Sequence, residues 1–205
     1  QVVAILNEAI NNNPDSLEPH IWLGKIYIDS GKPIMALKTV NRFIKKYPKN
    51  TGLLEIVGRA QLDTGMSTDA ILVFKDWAKV QPEASSPHYY LAKTYESLGE
   101  ITLALGEIDA ALKLNPEDSA SKLVQARLFA KAGERDRSKQ LLKELNNLTP
   151  DNPFVMELEG HIALVENRPQ QALVFFERAL EKRETNFNNI NLASAQMLAG
   201  EEENS

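Results

Sequence analysis

Proline recurs at Pro14, Pro48, Pro82, Pro116 and Pro150, each 34 residues after the last, and glycine keeps the same step at Gly31, Gly65, Gly99 and Gly133. A fixed period of this length marks an array in which no unit can bury its own apolar face and a continuous core forms only by stacking neighbours. The fold class expected is therefore all-α, built of antiparallel helix pairs. Counted from Leu17, full units occupy 17–50, 51–84, 85–118, 119–152 and 153–186 with no insertion, after a partial unit over 1–16. A lone or capping helix over 187–200 and an acidic tail over 201–205 follow, and the whole reads as one array.

Each unit divides into two helices. In the first, LEPHIWLGKIYIDSG carries apolar residues at helical spacing up to Gly31, and PIMALKTVNRFIKKYP repeats the pattern up to Pro48. Glycine fits the turn because a helix C-terminus commonly needs a positive φ, and proline stops the second helix because it has no N–H to donate. Two columns stay small: Gly24, Gly58, Ala92, Ala126 and Gly160, and Ala36, Ala70, Ala104, Ser138 and Ala172. Small residues let the two helices of a pair approach closely. Gln125 and Glu159 interrupt the apolar slot before the first of these columns, and partial exposure is expected for Glu159 because an unpaired buried carboxylate is costly.

These positions resemble the tetratricopeptide repeat, whose signature runs W-x2-L-G-x2-Y, then A-x3-F and a closing proline. Leu23, Gly24, Tyr27, Ala36 and Pro48 fit it in the first unit, Gly58, Ala70, Phe74 and Pro82 in the second, and Leu91, Ala92, Tyr95, Ala104 and Pro116 in the third. The resemblance implies a right-handed superhelical solenoid with first helices along a concave groove. The stretch EGHIALVENRPQQALVFFERAL is also similar to repeat-rich lipoproteins of bacterial envelope systems for exopolysaccharide and protein sorting (PEP-CTERM type). That likeness implies a periplasmic or outer-membrane-tethered scaffold, with the cytoplasm as the alternative.

Chemistry has no visible seat. There is no cysteine, no glycine-rich phosphate loop, no nucleophile elbow and no His-Glu-x-x-His run, so neither an enzyme nor a cofactor or metal site is expected. His20 and His88 fall where the family places tryptophan and read as packing residues. A formal net charge of -5 and only 7% aromatic residues argue against a nucleic-acid surface. No apolar run is long enough to span a membrane.

The functional reading is a non-catalytic scaffold for a protein or peptide. On the first helices a basic column, Lys25, Arg59, Lys93, Arg127 and His161, runs beside an apolar one, Trp22, Ile56, Tyr90, Val124 and Leu158, with Tyr89 adjacent. Cations would bind carboxylates, and the apolar and aromatic groups would dehydrate them, so an extended, partly acidic and apolar segment fits. Glu55, Asp29, Asp63 and Glu157 stand four residues from members of the basic column and could pair with them instead. Lys93 and Arg127 have no acid at that spacing and are the expected ligand-binding cations.

Two other surfaces stand out. Lys38, Arg42, Lys45, Lys46 and Lys49 help to give repeat 17–50 a charge of +5, so all other residues together carry -10. This basic face suits an acidic partner or anionic lipid, against the simpler reading of a solvated helix face. At the start, Val2, Ile5, Leu6 and Ala9 lie on a second helix without its mate, so further repeats upstream are expected. These residues and the last helix, with Asn188, Asn189, Asn191 and Gln196 on its outer side, are the candidates for self-association or for a capping end.

Overall fold

A computed structural model describes the backbone of residues 1–182 and 186–203 and the side chains of 1–182 and 191–200. The described residues form helices and no strands, in two compact halves, 1–116 and 117–205. The N-terminal half holds α1 (Val2–Asn12), α2 (Leu17–Asp29), α3 (Pro33–Ile44), α4 (Thr51–Asp63), α5 (Ser67–Val80), α6 (Ser85–Ser97) and α7 (Ile101–Leu114). The C-terminal half holds α8 (Ser119–Lys131), α9 (Arg135–Leu148), α10 (Pro153–Val165), α11 (Pro169–Lys182) and α12 (Asn186–Glu203). Within each half a first helix packs on the second helix of its repeat, and that helix packs on the next first helix.

The turns inside the pairs are made as their glycines require. Gly31, Gly65, Gly99 and Gly133 all have φ between +67° and +83°. At Gly31 the chain closes the α2 terminus, with Lys32 N donating to Tyr27 O at 2.8 Å and Gly31 N to Ile28 O at 3.0 Å. The fifth repeat makes the same turn with Asn167, whose φ is +56°, and Arg168 N donates to Ala163 O at 2.9 Å. Asparagine tolerates this region because its short side chain can bond locally. The glycine period therefore extends one step further than glycine itself.

A second period starts the first helices. Asn50 Oδ1 accepts from Leu53 N (3.0 Å), Asp118 Oδ2 from Ser121 N (3.1 Å) and Asn152 Oδ1 from Phe154 N (3.0 Å). Each satisfies an amide that the helix cannot pair internally. Ala84 holds the equivalent place before α6, with the same extended backbone and no capping side chain.

The small columns are filled by rings. A Cβ on Gly58 would lie 2.3 Å from Phe74 Cε1, and one on Gly160 would lie 2.5 Å from Phe176 Cε1. Phe74 and Phe176 are fully buried, as are the alanines of the facing column. Ser138 substitutes for alanine in that column without penalty because its Oγ donates to Ala126 O at 2.7 Å. His20 is a packing residue, buried edge-on against Phe43 at 4.7 Å with Nδ1 2.7 Å from Ser16 O.

At the far end the outward reading of Asn191 is corrected. Asn191 is buried against α11, since α12 turns 191, 195 and 199 inward on one stripe of fourfold spacing, whereas Gln196 is exposed. The side chains of Asn188 and Asn189 and the acidic tail 201–205 lie outside the described residues.

Two substitutions test this packing by equilibrium urea denaturation. Gly58→Ala should destabilise by roughly 1–3 kcal/mol, because Phe74 has no room to move. Ala84→Asp should stabilise by about 1 kcal/mol by completing the cap column.

Candidate functional site

In the N-terminal half the basic column is largely consumed by neighbouring repeats. Glu55 of α4 accepts from Lys25 of α2 (2.7 Å) and from Arg59 one turn along its own helix (3.2 Å). The other arm of Arg59 donates to Asp29 Oδ1 of the preceding repeat at 2.6 Å. Two cations and two carboxylates thus close on one another. The Arg59 guanidinium also lies 5.5 Å from the Tyr90 ring centroid, and Tyr90 stacks on Phe74 at 5.3 Å. Burial would lower the Arg59 pKa, but Tyr90, Asp29 and Glu55 outweigh it and hold it raised. Burial pushes the Tyr90 phenol up to about 12, with Arg59 opposing. Lys93 is engaged as well, with Nζ 5.6 Å from the Tyr89 ring centroid, and Tyr89 meets Tyr90 edge-on at 5.1 Å.

Two members of the apolar column, Ile56 and Val124, require correction as ligand surface. Ile56 is 0% exposed, and Val124 and Leu158 are also buried. The reason is stacking: a Cβ on Gly24 would stand 2.9 Å from Ile56 Cδ1, so the small column of one repeat seats this residue of the next. Trp22 has no first helix before it among the described residues and is 62% exposed. Tyr90 is half-buried.

The C-terminal half differs. A cavity of about 510 Å³ opens between α8 and α10. Leu123, Leu158 and Ile162 contribute apolar wall, and the mouth carries Phe154 (45% exposed) and Val165 (64% exposed). Arg127 and Lys131 of α8 and Arg135 at the start of α9 share the lining with a single carboxylate, Glu157. His161 completes the wall, its ring edge-on to Phe176 at 5.3 Å, and burial lowers its pKa. Of the residues singled out from sequence, Arg127, Leu158 and His161 meet here. Lys131, Arg135, Phe154 and Val165 were missed, although Arg127, Lys131 and Arg135 follow one another at fourfold spacing.

A second cavity, about 360 Å³, includes Glu159, Asn146 and Arg168 in its lining. Glu159 is half-buried, as expected, and accepts from Asn146 Nδ2 at 2.9 Å. Burial still pushes its pKa up, against the Asn146 bond and the charge of Arg178. His88 Nδ1 lies 2.8 Å from Glu107 Oε2. Among the described residues no group of three or more His, Asp or Glu is placed to hold a metal, and no helix is long and apolar enough to cross a membrane.

A family model for the tetratricopeptide repeat matches residues 58–119 and 89–153. Together these matches cover residues 58–153, a little under half of the chain. The same small columns and positive-φ turns recur outside the matched residues, in 17–50 and 153–182. Among solved structures, the tetratricopeptide protein TTC0263 of Thermus thermophilus is similar at 24% identity and a TM-score of 0.79, over 89% of this chain and 100% of that one. YrrB, described as a tetratricopeptide protein with an unusual peptide-binding site, is similar at 16% identity and a TM-score of 0.59, over 92% and 97%. MamA from Desulfovibrio magneticus RS-1 is similar at 16% identity and a TM-score of 0.65, over 83% and 98%. At these identities the likeness is one of fold. No curated protein matches the sequence.

The raised pKa of Glu159 carries a sign that can be checked. The folded state holds this proton more tightly than the unfolded chain, so the contribution of Glu159 is favourable below a pH of about 4.5 and is lost as the pH rises through the folded pKa. Glu159→Gln keeps the Asn146 bond. Its urea midpoint should exceed that of the parent at pH 7, and the difference should shrink as the pH is lowered to 4.

Proposed function

We propose that this tetratricopeptide array is a non-catalytic scaffold that grips an extended, partly acidic and apolar segment along its first helices, anchored in the C-terminal half. The observation that carries the reading is the cavity between α8 and α10, where an apolar wall lies beside three cations and one carboxylate. A bulky apolar side chain of the ligand would fill the space between Phe154 and Val165. A carboxylate next to it would meet Lys131 and Arg135, with charge-assisted bonds worth roughly 1.5–3 kcal/mol each. Within the N-terminal half, Trp22, Tyr89 and Lys93 are a separate candidate surface for such a segment, whereas Lys25 and Arg59 chiefly tie the first two full repeats to each other. A bacterial envelope is the setting we infer from the sequence resemblance.

Fluorescence anisotropy with synthetic peptides pairing Phe or Leu with neighbouring Asp and Glu tests the anchor. Lys131→Glu with Arg135→Glu should weaken binding by roughly a hundredfold, since each 1.4 kcal/mol is tenfold. Peptides with Asn and Gln in place of the acids should bind weakly to the parent. Equal affinity for both peptide sets, or for parent and variant, would overturn the reading.

A second reading, self-association, is favoured by the exposed apolar row of Val2 and Ile5 on α1 together with Trp22. Sedimentation equilibrium decides it: oligomers that dissociate in a Val2→Ser, Ile5→Ser, Trp22→Ser variant would support it, and a monomeric parent would exclude it.

A further inference from the structure

The outward arc of α3 is unlike that of every other second helix described in full. At 100° per residue, Ile34, Lys38, Arg42 and Met35 fall within an arc of roughly 100°, opposite the buried Ala36, Val40 and Phe43, and Lys45 and Lys46 follow in the turn after the helix end. All six are exposed or partly exposed, Ile34 at 61%, and Lys49 extends the basic face past the helix end. No acid occurs between Asp29 and Glu55 in the sequence. The only ion pair recorded on this face among the described residues is Arg42 with Asp15, at 3.5 Å and with Asp15 almost wholly exposed.

The repeat supplies its own control. The outward faces of α5, α7, α9 and α11 occupy the same place in their repeats and carry charges of both signs: Asp76 with Lys79, Asp109 with Lys113, Arg137 with Asp136, and Glu177 with Arg178. The fold therefore does not require cations there. The helix dipole accounts for basic residues in the last turn of α3 only, not for Lys38 on its second turn.

We propose that α3 is a docking face for the surface of an anionic phospholipid bilayer. Four of the five cations on α3 and the turn after it are lysines, flexible and strongly hydrated point charges, and all four are exposed. That arrangement suits a smeared negative potential better than bidentate recognition of single carboxylates, for which arginine is the fitter residue. Ile34 and Met35 stand on the same arc and would enter the boundary between headgroups and acyl chains as the lysines reach the phosphates. None of the residues on this arc belongs to the proposed groove, so docking and groove binding can be tested separately.

Vesicle co-sedimentation of the full chain tests this. Vesicles of phosphatidylcholine with about one third phosphatidylglycerol should bind the protein at low salt, and pure phosphatidylcholine vesicles should not. Each basic residue near such a surface is worth about fivefold in affinity, so Lys38→Glu, Lys45→Glu and Lys49→Glu together should weaken binding by roughly a hundredfold or more. The three sites are exposed or partly exposed, and an unchanged circular dichroism melt would show that folding is intact. Ile34→Ser with Met35→Ser should remove the part of the binding that survives about 0.5 M salt, where exposed charges are screened. Absence of binding to the anionic vesicles, or equal binding by parent and triple variant, would overturn the proposal. Capture of soluble polyglutamate but not of vesicles would overturn it in favour of an acidic protein partner.

Discussion

The insertion of a large side chain from one helix into a glycine or alanine slot on another sets everything else in this molecule. Phe74 at Gly58, Phe176 at Gly160 and Ile56 at Gly24 are contacts in which a single added carbon would collide. They bring helices of 12–14 residues, too short to be stable alone in water, close enough to share a core. Because the contact recurs every 34 residues, it also fixes which face of each helix is left over for solvent or for a partner. Surface chemistry here is whatever the packing columns do not claim.

That remainder differs between the two halves. In the N-terminal half, Asp29 and Glu55 lie where Arg59 and Lys25 can reach them across the repeat boundary, and the cations become part of the stacking interface. Arg59 is held on one side by carboxylates and on the other by the Tyr90 ring, so little of its charge is left for a ligand. In the C-terminal half, Arg127, Lys131 and Arg135 line a cavity together with Glu157, and the next place in the basic column is taken by His161, whose pKa burial lowers.

Much of the fold was legible in the sequence because it is written in residues whose roles are local. Gly31 and its equivalents announce a positive φ, Pro48 and its equivalents announce helix ends, and the small columns announce close approach. Asn167 shows the limit: it occupies the glycine slot and makes the same turn, but asparagine has other uses and does not declare itself. The site was harder to read because its pairings are not local. A four-residue rule finds Glu55 with Arg59 but not Arg59 with Asp29 or Lys25 with Glu55, which need the stacking geometry of adjacent repeats. The same geometry decides that Ile56 is core while Trp22, in the same column, is exposed. Phe154 and Val165 could not be recognised as a mouth without the space between them.

The account therefore makes the C-terminal half the anchoring half and treats the paired cations of the N-terminal half as structural. The measurement that tests this most directly is amide chemical-shift mapping by NMR, titrating the labelled full chain with an acidic, apolar peptide. The account predicts the largest and earliest shifts at 123–135 and 154–165, with Lys25, Glu55 and Arg59 little changed. Shifts concentrated at 22–29 and 55–63, with the α8 and α10 resonances unmoved, would contradict it.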